Sequence, residues 1–255
     1  MWLRLRQIAL VAEHLEPVEK DLTEVLGLEV CHRDPGVATF GLENILMPVG
    51  NELLEVVAPV RENTAAGRYL ERRGGAGGYM VITQCDEHEP RQRRVRALGV
   101  RVVNQFETAA FRNMQLHPKD TGGSFFEIDE QLGADAHLPD GPWEPAGASW
   151  QSAKRLDRVT GIVAAEVQCD DPERVARRWG EIAELPVSQA GAGWRMPLDN
   201  AEVRFVPCND GRPEGLGGID VSTADRDAIL QAARERNAVS APDQIRLCGL
   251  RINLV

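Results

Sequence analysis

A chain of 255 residues, 43% hydrophobic and 27% charged, is long enough for one large core or for two cores of ordinary domain size. Its 39 acidic residues against 29 basic ones leave a net charge of -10, so the surface field repels polyanions and nucleic acid is not an expected partner. Residues 1–10 mix apolar and basic side chains and no apolar run there reaches the length of a signal peptide or membrane span, which predicts a cytoplasmic protein with no membrane partner.

In chain order, residues 3–11 read as a strand rich in Leu, Ile and Val, and 15–26 carry apolar residues at helical spacing, closed by Gly27. Strands are predicted at 28–33, 37–42 and 53–58, punctuated by Asp34-Pro35-Gly36 and Gly50-Asn51. After a glycine-rich break at 74–78 the same unit recurs, with a strand at 79–84, a helix at 89–98, and strands near 100–103, 111–116 and 124–129. The stretch that follows, with Pro139, Gly141, Pro142, Pro145 and Gly147, reads as a linker. A third unit begins at Gly161 with a helix at 172–183 and strands near Val187, Trp194 and Val203, and a fourth covers 215–255 with a helix at 224–236.

A strand-helix-three-strand module leaves an open sheet face and must pair with another copy to cover it. The expected fold class is therefore α+β, with four tandem βαβββ modules paired into two similar domains: residues 1–131, a linker at 132–158, and residues 159–255. The five cysteines and five histidines are scattered, without a CxxC, HExxH or HxH pair, so no zinc knuckle or disulfide framework is written in their spacing.

The string Leu116-His117-Pro118-Lys119-Asp120-Thr121-Gly122-Gly123, followed by Phe126-Glu127-Ile128, resembles the closing segment of methylmalonyl-CoA epimerases. With Val25-Leu26-Gly27-Leu28 and Glu55-Val56-Val57-Ala58-Pro59, it is similar to the vicinal oxygen chelate superfamily, which also holds glyoxalase I, extradiol dioxygenases and antibiotic-resistance proteins. The resemblance implies two glyoxalase-like domains and a divalent cation held by one residue from each of four strands. Those positions fall here on Gln7, Glu55, Met80 and Glu127, and the third-strand carboxylate that serves some epimerases as a base falls on Thr39.

Two of the four ligands thus survive as carboxylates. Gln7 still offers an amide oxygen, but the Met80 thioether is too soft to replace imidazole for a hard or borderline cation. Gln7, Glu55 and Glu127 are left as a weak oxygen site at most, so the expected cofactor is none or a weakly bound divalent cation. Without a cation, Glu55 and Glu127 are expected to face one pocket as like charges, with one pKa raised, and are the candidate catalytic pair. Gln7, Thr39, Tyr79, Met80 and His117 are candidate substrate contacts.

Such a pair fits general acid-base work and mere recognition equally well. The leading expectation is a small oxygen-rich metabolite, an oxo acid or an acyl thioester, bound without the standard metal. The alternative is a metal-dependent lyase, isomerase or epimerase acting through an enolate. In the second half the equivalent positions fall near Ala164, Arg204, Gly217 with Gly218, and Asn253, where no metal fits. That half is expected to be structural, replacing the partner of a dimeric relative, which leaves a monomer or a homodimer.

Overall fold

A computed structural model describes residues 1–255. β1 (Leu3–Val11) is buried along its whole length, and α1 (Leu15–Leu26) turns Leu15, Val18, Leu22, Val25 and Leu26 inward. Gly27 closes that helix in the left-handed region at φ 73, a conformation that costs glycine nothing.

The strands expected at 28–33 and 37–42 do not form as read. Only an isolated bridge, His32 to Leu46, ties the first stretch to its neighbour. Pro35 has no N–H for a ladder, and the Asp34 carboxylate accepts from Gly36 N, so 35–40 coils into a 3-10 helix. Thr39 accordingly lies on an exposed turn of that helix, its hydroxyl donating to Gly36 O, and not on a third strand. β2 (Leu42–Val49) and β3 (Glu52–Pro59) follow as an antiparallel hairpin. At its turn Gly50 passes so close to Thr160 that a Cβ would sit 2.1 Å from its carbonyl oxygen.

A further helix, α2 (Ala65–Arg73), precedes β4 (Gly77–Cys85). Then come α3 (His88–Ala97), β5 (Val102–Glu107), β6 (Phe111–Leu116), the single turn α4 (Pro118–Thr121) and β7 (Phe125–Gln131). After a linker with two short 3-10 turns, β8 (Val159–Cys169), α5 (Pro172–Ala183), β9 (Ser188–Ala190), β10 (Gly193–Pro197) and β11 (Glu202–Pro207) make the third module. The fourth is β12 (Gly215–Thr223), α6 (Arg226–Glu235), β13 (Val239–Ala241), β14 (Gln244–Leu247) and β15 (Leu250–Leu254).

Hydrogen bonding orders these strands into two sheets, β2-β3-β1-β4-β7-β6-β5 and β13-β14-β15-β12-β8-β11-β10-β9. The chain therefore has the two-domain glyoxalase-like α+β fold, and no helix is long and apolar enough to cross a membrane.

By packing, the chain divides into two compact units. One holds residues 1–7, 79–144 and 164–216, the second and third modules with the start of β1. Its core centres on Trp179 of α5, which stacks on Phe126 of β7 at 4.3 Å and meets Phe205 of β11 edge-on at 5.4 Å. The other holds residues 8–78, 145–163 and 217–255. There α1 packs against α6, and Arg236 is ion-paired with Asp21 and Glu24.

The glycines of the segment 117–123 belong to the first unit's packing. Gly123 sits at φ 67 with Val167 so near that a Cβ would meet it at 2.5 Å, and Gly122 is likewise tight against Val175. Gly123→Ala combines a left-handed backbone with a clash, and it is expected to lower stability by about 1–3 kcal/mol, measured by urea denaturation.

Candidate functional site

Side chains alternate across a strand, so Glu127 and Asp129 emerge from the same face of β7. On neighbouring β6, Asn113 projects between them: its amide donates 2.8 Å to Glu127 Oε1 and 3.2 Å to Asp129 Oδ1. Met114 N also donates to Asp129 Oδ1, at 3.1 Å. Asp129 is 1% exposed, and its Oδ2 meets no donor. Burial raises its pKa well above the ordinary carboxylate value, and the Glu127 carboxylate beside it raises it further. The protonated form of Asp129 is thereby favoured over the charged one.

A raised carboxyl is found at Asp129, two residues beyond Glu127 on the same strand. Its sequence signal was available: Glu127-Ile128-Asp129 puts two carboxylates on one face. Glu127 and Glu55 belong to different compact units. Glu55, on β3, has its own amide partner, since Asn44 Nδ2 on β2 donates 2.7 Å to Glu55 Oε1. The same device thus occurs once in each of the first two modules, an asparagine on the preceding strand holding the glutamate.

Gln7 Oε1 accepts 2.9 Å from the indole N–H of Trp143, a buried linker residue. Met80, on β4, accepts at its sulfur from Gln115 Nε2 at 3.4 Å. Tyr79 packs edge-on against Phe125, ring centroids 5.1 Å apart. His117 caps α4: its Nδ1 accepts from Lys119 N at 3.1 Å. Gln7, Tyr79, Met80, His117 and Glu127 share the first unit, while Thr39 and Glu55 lie in the second.

The four-strand donor set does not suit a zinc, nickel or cobalt ion. Gln7 is already an acceptor for Trp143, Met80 supplies a thioether, and no three His, Cys, Asp or Glu side chains gather where they could hold a cation. In the third module Arg204 pairs with Glu166 at 3.3 Å, and in the fourth Asn253 bonds Asp220 and Gln244. No cysteine is joined in a disulfide: burial pushes Cys85 up to about 12 and Cys31 up to about 11, so both stay protonated at neutral pH.

Sequence reasoning passed over two further groups. The linker meets Arg4 and Arg6 of β1, which are 8% and 1% exposed and donate to its backbone carbonyls. His88, at the start of α3, lines a cavity of about 240 Å³ with Glu89, Gln92, Gln105, Phe106, Glu107 and Arg112. Burial holds the His88 pKa below 6.5; Arg112 adds to this, while Glu130 and Glu107 oppose it. A folded value below the unfolded one costs stability as pH falls, because the unfolded chain takes up the proton first. Stability is expected to drop from pH 6.5 toward the lowered native value, and His88→Gln to remove that part of the loss in urea titrations across the window.

No protein-family model matches the sequence, and no curated protein is significantly similar to it. Among solved structures, a hypothetical protein from Staphylococcus aureus is similar over 100% of this chain and 99% of its own, with a TM-score of 0.69 and 12% identity. Methylmalonyl-CoA epimerase from Mycobacterium tuberculosis is 24% identical over 51% of this chain and 89% of its own, with a TM-score of 0.46. A Streptomyces coelicolor methylmalonyl-CoA epimerase variant in complex with 2-nitronate-propionyl-CoA is 20% identical over 52% and 100%, with a TM-score of 0.47. At 12% identity the full-length match concerns the fold alone.

Proposed function

We propose that this chain binds a small oxygen-rich metabolite, an oxo acid or an acyl thioester, at the polar face carrying Glu127, without the standard metal centre of the superfamily it resembles. The observation that carries the reading is the Glu127, Asp129 and Asn113 cluster. Burying two carboxyl groups on one strand is costly, and a sheet face serving only as packing would gain from apolar side chains there. The arrangement offers a ligand two complementary features: burial and the neighbouring carboxylate favour the protonated form of Asp129, and Asn113 fixes Glu127 as an acceptor. A carbonyl or carboxyl oxygen and its attached hydroxyl or enol match such a pair. Proton transfer to or from a ligand is within the chemistry of the same groups.

Thermal-shift screening of oxo acids and acyl thioesters, in chelator and then with divalent ions, tests this. Stabilisation by a member of either class in chelator is expected, and Glu127→Gln should abolish it. A ligand response that appears only with added metal would sink the metal-free part of the reading. Placing both imidazoles back, with Gln7→His and Met80→His together, is expected to raise nickel or cobalt affinity by about tenfold or more, read by isothermal titration.

A further inference from the structure

The linker between the halves is bound, side chain to backbone, by the chain's own β1. Arg4 Nη1 donates to His137 O at 3.2 Å, and its Nη2 donates to Ala136 O at 3.0 Å and Leu138 O at 2.8 Å. Arg6 donates to Pro139 O at 2.6 Å and Gly141 O at 2.8 Å. Gln84 of β4, which accepts from Arg4, donates its amide to Ala136 O at 2.9 Å. Trp143 anchors the far end through Gln7 and an edge-on contact with Phe111 at 5.1 Å.

Residues 132–143 contain no helix or strand, and a stretch of that length in a compact protein is commonly functional. They nevertheless hold a defined shape. Gly141 lies so near Asp135 that a Cβ would be 2.2 Å from its carbonyl oxygen. The strap covers one end of the face described above, because Gln84 is the register partner of Asp129 in the β4 and β7 ladder.

Two guanidinium groups on one face, filled by five carbonyl oxygens, make a site built for oxygen. Carbonyls are neutral acceptors, and a carboxylate in the same planar forks makes hydrogen bonds roughly twice as strong. We infer that Arg4 and Arg6 form a carboxylate-binding site which the strap 136–141 occupies as a self-ligand, so that an incoming small carboxylate and the strap compete for it. This rests on the reading of the Glu127 face as a metabolite site and adds to it the group that recognises the acid end. With the strap closed, apparent affinity is reduced by the fraction of open molecules.

Malonate serves as the probe, titrated calorimetrically into the full chain, with hydrogen exchange of 132–144 followed in malonate and in sodium chloride of equal ionic strength. Malonate is expected to bind and to speed exchange in the strap by about tenfold, with chloride inert. Arg6→Gln should lose malonate binding. Trp143→Ala, or the gentler Trp143→Phe that removes the bond to Gln7 and keeps a smaller aromatic ring beside Arg6 and Phe111, should tighten malonate by about tenfold because the strap opens more readily. Malonate binding with unchanged strap exchange would overturn the competition and leave the metabolite site standing. No malonate binding in the wild type or in either Trp143 variant would overturn the carboxylate site, while the Glu127→Gln ligand screen judges the metabolite reading separately.

Discussion

Trp179→Ala is expected to destabilise the protein by about 3–5 kcal/mol, the usual cost of removing a fully buried aromatic side chain and leaving its cavity. Trp179 is 0% exposed, stacked at 4.3 Å on Phe126 and edge-on to Phe205, and its indole N–H donates to Gly122 O at 3.2 Å. Three elements from two modules thus meet on one ring within the first compact unit. Collapse into the cavity is hindered because Gly122 and Gly123 already lie against Val175 and Val167, leaving little slack around the ring. Trp179→Phe should recover most of the loss but not the bond to Gly122. Trp194→Ala is the control: this half-buried ring lies under Arg177 at 4.8 Å, and its loss should cost about 1 kcal/mol or less. Guanidinium denaturation of the three variants decides it, and equal costs for Trp179→Ala and Trp194→Ala would sink this account of the core.

The outline of the fold was readable wherever one face of an element is apolar. α1 and α5 begin and end where the periodicity of 15–26 and 172–183 places them, since a strong stripe leaves one solution. Periodicity failed where local chemistry decided the backbone. Residues 37–42 hold enough apolar side chains for a strand, but the Asp34 cap and Pro35 start a 3-10 helix first, and Thr39 leaves the expected site with it. α2 was missed although Ala66, Tyr69, Leu70 and Arg73 lie at helical spacing and Thr64 caps it through Gly67 N, because only Tyr69 and Leu70 among its nine residues are large and apolar.

The candidate site was half legible. Resemblance points to Glu55 and Glu127, but their asparagine partners are set by cross-strand geometry, with Asn113 beside Asp129 only because β6 and β7 pair in the observed register. The arginine latch had no readable signal. Arg4 and Arg6 alternate with leucines as any half-exposed strand would, and their partners are backbone carbonyls, which no side-chain pattern reveals. Division into compact units was equally hidden. Four similar modules say that faces must be covered, and they do not say which module covers which.

Asp129→Asn is expected to stabilise the protein at neutral pH by about 1–3 kcal/mol, the range for relieving a buried polar group that lacks a partner. Asparagine keeps an oxygen for Met114 N and Asn113, and it places an amide N–H where Oδ2 now meets no donor, aimed toward Glu127. The sign follows from linkage. The native pKa of Asp129 is raised above its unfolded value of 3.8, first by burial and then by Glu127, so the native state holds a proton that the unfolded chain releases. Its contribution to stability is fully present below pH 3.8 and is lost as pH rises through the native value. The advantage of the asparagine variant should therefore be smallest in acid, grow upward from pH 3.8, and level off once the native pKa is passed. Urea denaturation of both proteins from about pH 3 to pH 9 traces that difference directly. A gap that stayed constant with pH would show that Asp129 binds no extra proton in the folded state, and would remove the neutral donor from the proposed ligand site.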